Sequence, residues 1–134
     1  MLSVVVFHDV RFDPLVAAWR DRCVVPLLDD ACREELERVL DYPQFARRFA
    51  GRAAALAEYL PYVERVDTTG RGAGLPRCRD PDDQKFLVLA VTGGAQSLVT
   101  SDAMLLGVRR RFDFAIETPK HFLARLTVPA AAGA

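Results

Sequence analysis

Histidine and cysteine are scarce in this chain, with two histidines and three cysteines in 134 residues. Cys23, Cys32 and Cys78 stand at unrelated spacings with no CxxC pair, so no metal-binding cysteine motif can be read from them. They read as buried free thiols in a reducing cytoplasm. Neither sign of charge is in excess, because 18 Lys and Arg balance 18 Asp and Glu. No whole-chain field therefore calls for nucleic acid or a membrane surface, although a local basic patch beside an acidic site stays open. No hydrophobic run approaches a membrane span. The opening MLSVVVFHD has no basic start, and its apolar run is too short for a secretory leader. The expectation is a cytoplasmic protein with no membrane partner.

What is present is an ordinary globular composition, 51% hydrophobic and 27% charged. The length suits a single domain, expected over residues 1–128 with a frayed tail at 129–134. Short β-branched or apolar runs predict strands at Leu2–Phe7, Val24–Leu28, Val63–Val66, Ser97–Ser101 and Phe112–Ile116. Between them lie helical patterns. Asp13-Pro14 starts one that runs to about Arg22, and Asp29 and Asp30 offer caps for ACREELERVLDY. Residues 44–60 read as two short helices broken near Gly51. Pro81-Asp82-Asp83 opens a helix with Phe86, Leu87, Ala90 and Val91 on its core face, stopped by Gly93-Gly94. AMLLGV and PKHFLARL complete the set. Strands alternating with helices predict an α/β fold in three layers, with a mostly parallel sheet of four or five strands and helices on both faces. In such sheets ligands bind beyond the carboxyl ends of the strands. Asp29, Asp30 and Asp102 fall at that edge, with Glu35 a turn and a half into the helix after Asp30.

The segment CRDPDDQKFLVLAVTGGAQSLVTSD sets Asp80, Asp82, Asp83 and Asp102 around an apolar helix and strand. Clustered carboxylates repel, so a cleft that gathers them needs protons, Lys/Arg or a cation. An oxygen-only ligand set suits Mg²⁺ or Mn²⁺ rather than zinc, and such ions serve phosphodiester hydrolysis. The competing reading is local. Acids ahead of a helix stabilise its N-terminus, which would account for Asp80, Asp82 and Asp83, and equally for Asp102 ahead of AMLLGV. By the same logic Glu35 is a solvated helix residue.

RDPDDQKFLVLAVTGGAQSLVTSDAMLL resembles the C-terminal half of a PIN domain, the small α/β nuclease domain of many toxin–antitoxin toxins. That pattern pairs acid-Pro-x-Asp at a helix start with hydrophobic-Val-Thr-x-Asp after a strand. Here the matching residues are Asp80-Pro81-Asp82-Asp83 and Leu98-Val99-Thr100-Ser101-Asp102. REELERVLDYPQF resembles the PIN helix with an acid just before a Leu, Glu35 before Leu36, and TPKHFL resembles the last helix. The likeness runs over residues 13–126. It implies that Glu35, Asp83 and Asp102 are catalytic metal-site carboxylates with Asp80 beside them. It also implies Mg²⁺ or Mn²⁺ as cofactor, RNA as substrate, an antitoxin as partner and a possible homodimer. Arg77, Arg79 and the run Arg109–Arg111 are candidates for holding RNA backbone.

One departure stands out. A PIN domain opens on an apolar strand ending in Asp-Thr-Asn, and this chain has no such triplet. VVFHDVRFDPL is similar to a segment that follows the family's first helix, so Met1 reads as an internal start. Either Leu2–Phe7 is that helix and the central strand slot is empty, or Leu2–Phe7 fills the slot and brings Asp9 near the missing acid's place. The second is expected, because the run is β-branched and an empty slot would leave backbone donors unpaired. His8 bears on chemistry only if Asp9 reaches the site, and His121 reads as a helix-surface residue. Two functions follow. One is a metal-dependent endoribonuclease toxin. The alternative is a catalytically impaired domain that binds RNA or a protein without cutting. A receiver-like phosphoacceptor domain would need an acid pair after the first strand and a late Lys, and the chain offers neither arrangement.

Overall fold

The computed structural model describes residues 3–8, 24–40 and 60–132. The helix expected from Asp13, those expected in residues 44–60, Asp9 and Cys23 lie outside these residues.

Three stretches of dense apolar character build the middle of the sheet. β1 (Ser3–Phe7) pairs in parallel with β2 (Val24–Leu28) on one side and with β4 (Ser97–Val99) on the other. β3 (Glu64–Arg65) extends β2, and β5 (Ala115–Glu117) extends β4. Among the described residues the sheet thus has five parallel strands in the order β3-β2-β1-β4-β5. The expected run is therefore the central strand over Ser3–Phe7, as its β-branched content favours. Buried on both faces, it needs no polar alternation, and Val5, Val6 and Phe7 are all buried. Gln96 completes its pairing in an unusual way. Its backbone N–H donates to the Val4 carbonyl, and its side-chain Oε1 accepts from the Val4 N–H at 2.9 Å.

α1 (Asp30–Leu40) follows β2 directly. Buried Asp29 caps it, accepting from the Cys32 N–H at 2.9 Å, while the Thr68 hydroxyl donates to its other oxygen at 2.6 Å. A 3₁₀ turn (Pro81–Asp83) leads into α2 (Gln84–Gly93). Gly94 ends α2 at φ 66°, a left-handed conformation that glycine adopts without penalty, and the Ala95 N–H reaches back to the Ala90 carbonyl. α3 (Ala103–Leu106) follows β4, and α4 (Pro119–Ala132) follows β5. α4 runs past Leu126, where the sequence pattern stops, through Thr127, Val128 and Pro129 to Ala132.

Side-chain alternation along the strands sends Val6, Leu27, Leu98 and Ile116 to one face, where they join Cys32 of α1 and Phe86, Leu87 and Leu89 of α2 in one core. Fully burying a side chain such as Leu87 or Leu89 is worth about 1.5–3 kcal/mol. The opposite face carries Phe7, which meets Phe122 of α4 edge to face at 6.0 Å between ring centres. The result is the three-layer arrangement expected of the sequence. Cys32 and Cys78 are buried free thiols, and burial pushes the Cys32 thiol far up, with Asp29 beside it adding to the shift.

Candidate metal centre

Parallel strands all end on the same edge of the sheet, so whatever follows β1 and β4 is brought together. The His8 N–H donates to the Val99 carbonyl at 2.9 Å, extending the β1–β4 ladder one residue past Phe7. His8 is thereby set beside Thr100, and Asp102 comes two residues later at the start of α3. The third contributor arrives from the opposite direction, as Asp83 closes the 3₁₀ turn ahead of α2. One ligand-capable atom each from His8, Asp83 and Asp102 lies within 4.8 Å of the other two.

The hydrogen bonds separate helix-capping acids from the rest. Asp80 accepts from the Asp82 N–H at 2.9 Å and is an N-cap. Asp102 accepts from the Met104 N–H at 2.8 Å and caps α3. Asp83 occupies the N-cap position of α2, yet its side chain makes no capping bond. It is only 8% exposed, and its Oδ2 is buried with no hydrogen-bond partner. A buried carboxylate oxygen without a donor is expensive in a folded protein. Local capping therefore accounts for Asp80 and for one role of Asp102, but not for Asp83.

Electrostatics follow from this geometry. Burial pushes the Asp83 carboxyl above the usual carboxylate range; facing Asp102 pushes the same way, against an opposing pull from His8. The Met104 N–H holds Asp102 below that range. The two acids are thus driven apart, as expected when one proton or one cation must be shared between them. His8 Nε2 lies 3.2 Å from Asp83 Oδ1, and His8 Nδ1 lies 2.8 Å from Thr100 Oγ1. Thr100, fully buried, also accepts the Asp102 N–H at 2.9 Å. The network is satisfied with the imidazole proton on Nε2, donated to Asp83, and the Thr100 hydroxyl donating to Nδ1. Phe86 packs against the ring edge to face at 4.6 Å.

Glu35 is placed differently. With His8, Leu27, Cys32 and Phe86 it lines an adjoining hollow between β1, β2, α1 and α2. Its carboxylate is engaged by Arg38 and by Lys85, whose Nζ lies 3.4 Å away, so it stands outside the group of three. Arg77, Arg79 and Arg109–Arg111 lie at the surface, the last three in a 3₁₀ turn after α3. His121 is half of a contact with Glu117 at 3.0 Å, away from Asp83. Sequence reasoning missed His8 as a member of the site. Its one signal was position: a polar residue directly after a β-branched run falls at the carboxyl edge of the sheet.

The donor set suits a divalent cation. Two carboxylates and an imidazole are acceptable ligands for Mn²⁺ and its neighbours, and the unpartnered Asp83 Oδ2 is an acceptor in need of a positive partner. A comparison with protein-family models matches residues 1–104 to the PIN domain. Comparisons with curated proteins and with solved structures returned no match.

Proposed function

The chain belongs to the PIN-domain family, a nuclease family, and on that premise we propose that it is a divalent-metal-dependent endoribonuclease, using Mg²⁺ or Mn²⁺, and the toxin of a toxin–antitoxin pair. The single observation that carries the metal site is Asp83, buried, uncapped, unpartnered at Oδ2 and facing a second carboxylate. Asp83 and Asp102 would hold the ion. A bound divalent ion supplies Lewis-acid activation of water and neutralises charge developing on a phosphodiester. The residues themselves do three things. The Met104 N–H keeps Asp102 ionised and fixed in direction. Thr100 ties Asp102 to His8 across two neighbouring strands. The burial of Asp83 keeps water from its Oδ2, which strengthens charge interactions there. Arg77, Arg79 and Arg109–Arg111 at the surface are suited to phosphate contacts along an RNA strand. No helix among the described residues is long and apolar enough to cross a membrane. A cytoplasmic site of action, an antitoxin and a second copy of the chain as partners belong to this reading.

A second reading has its own observation. The acids have partners within the fold, Asp83 the His8 Nε2–H and Glu35 the cations Lys85 and Arg38. Such a site could stand without a cation, and the domain would then bind RNA or a protein without cutting. The test is cleavage of a panel of structured and single-stranded RNAs by the chain with Mn²⁺, with Mg²⁺ and with chelator. Metal-dependent cleavage that disappears in Asp102→Asn supports the nuclease. Tight Mn²⁺ binding with no cleavage of any RNA favours the binding module.

A further inference from the structure

We propose that His8 is itself a ligand of the metal site, through Nε2, and that this nitrogen donor makes the site select Mn²⁺ over Mg²⁺. The inference rests on the metal-site reading above and adds to it a residue of another chemical type.

The position of the ring is set by the fold. His8 sits at the end of the central strand, and its backbone N–H is bonded to Val99. Thr100 at Nδ1 and Phe86 against the ring hold the imidazole plane, leaving Nε2 directed at the acids. Nε2 is 3.2 Å from Asp83 Oδ1, longer than the roughly 2.7–2.9 Å of a good charge-assisted hydrogen bond. Two ligands at right angles about an ion with bonds of about 2.1 Å would stand about 3.0 Å apart, so this spacing fits shared ligation with little movement. The third atom is already within 4.8 Å.

The electrostatic sign decides the tautomer. With no ion, Nε2–H donates to Asp83. An ion among these atoms would face the positive edge of that N–H, whereas the lone pair of the other tautomer attracts it. Thr100 Oγ1 can accept the proton relocated to Nδ1, the usual outer partner of a metal-bound histidine. The change is a tautomer shift and requires no net proton. Nitrogen donors favour later first-row divalent ions over Mg²⁺, which takes oxygen ligands and keeps its waters.

The experiment uses the full chain freed of metal with chelator, then loaded with Mn²⁺ or Mg²⁺ and studied by calorimetric titration and pulsed electron paramagnetic resonance. Bound Mn²⁺ should show ¹⁴N modulation from a directly coordinated imidazole, absent in His8→Asn. That variant should weaken Mn²⁺ by about 10–100-fold, the usual range for losing a contributor to a metal shell, while Mg²⁺ changes little. His8→Asp, supplying oxygen instead, should narrow the Mn²⁺/Mg²⁺ preference; circular dichroism checks that each variant is folded, and His8→Asn serves if His8→Asp is not. If bound Mn²⁺ shows no ¹⁴N modulation, or His8→Asn keeps the native Mn²⁺/Mg²⁺ ratio, His8 is only a hydrogen-bond donor to Asp83 and the proposal is wrong. If the chain binds no Mn²⁺, or Asp83→Asn and Asp102→Asn bind it as tightly as the native chain, the metal-site reading itself has failed.

Discussion

Replacing Asp83 with asparagine in metal-free buffer separates a functional carboxylate from a structural one. The substitution preserves shape and removes one charge. Asp83 and Asp102 present atoms within 4.8 Å of each other. At that distance two like charges repel by about 3 kcal/mol at an effective dielectric of 20, and by about 1 kcal/mol if water screens them fully. Against this relief stands the weakening of the His8 bond, from about 1.5–3 kcal/mol for a charged acceptor to about 1 kcal/mol for a neutral one. No capping bond is lost, because Asp83 makes none. The net expectation runs from a loss of about 1 kcal/mol to a gain of about 2 kcal/mol, or a few degrees in Tm for a domain of this size. The pH dependence has a definite sign. Burial and Asp102 raise the folded-state pKa of Asp83 above its unfolded value, so its ionisation opposes folding. That penalty is absent below the unfolded carboxylate range, grows as pH rises through the interval between the two values, and is complete above the folded one. The advantage of the Asp83→Asn variant should therefore grow with pH across the acid range and then level. Saturating Mn²⁺ reverses the order. At a hundred times Kd it should stabilise the native chain by about 2.7 kcal/mol and leave Asp83→Asn unmoved. Urea denaturation with and without Mn²⁺ measures both effects. A metal-free loss of about 2 kcal/mol in Asp83→Asn, with the Mn²⁺ response intact, would refute the reasoning and return Asp83 to a purely structural role.

Three further outcomes follow from other contacts. Asp102→Asn should leave metal-free stability unchanged or raise it, since asparagine caps helices as well as aspartate and the same repulsion from Asp83 is relieved, while the Mn²⁺-induced rise in Tm disappears. Glu117 is buried, which alone would raise its pKa, but hydrogen bonds from Arg125 and Ser97 outweigh this and hold it low. Its contribution is present above the unfolded glutamate range and lost as pH falls through the folded value. Glu117→Gln, which leaves Arg125 half-exposed rather than sealed in, should therefore cost about 1–3 kcal/mol at neutral pH and flatten acid unfolding in a denaturation series. Gly94→Ala should cost about 1 kcal/mol through backbone strain alone, because its φ is +66° and no atom lies within 4 Å of an added Cβ; a thermal melt will register it.

The chain's local chemistry determined much of this protein. β2, the start of α1, and α2 with its stop were legible because each is marked within a few residues: an apolar run, an acid before the first turn, a glycine pair at the end of α2. The capping duties of Asp29, Asp80 and Asp102 belong to the same class, since each accepts from an N–H two or three residues onward. The order of acids along the chain also sufficed to point to the family. Other features depended on pairing at long range. That Ser3–Phe7 takes the central slot is a matter of register, Phe7 against Val99, between strands far apart in the chain. The same register carries His8 to Thr100 and so into the acidic group, whereas the residues around His8 mark only its place at the strand's end. Tertiary structure likewise set Glu35 apart, because Lys85 lies in reach of it only when α1 and α2 pack side by side. And it gave the physical reason that sets Asp83 apart from Asp80 and Asp82, three acids of one turn that the family pattern separates only by position. Of the three, only Asp83 is buried, with one oxygen shielded from water and unpaired.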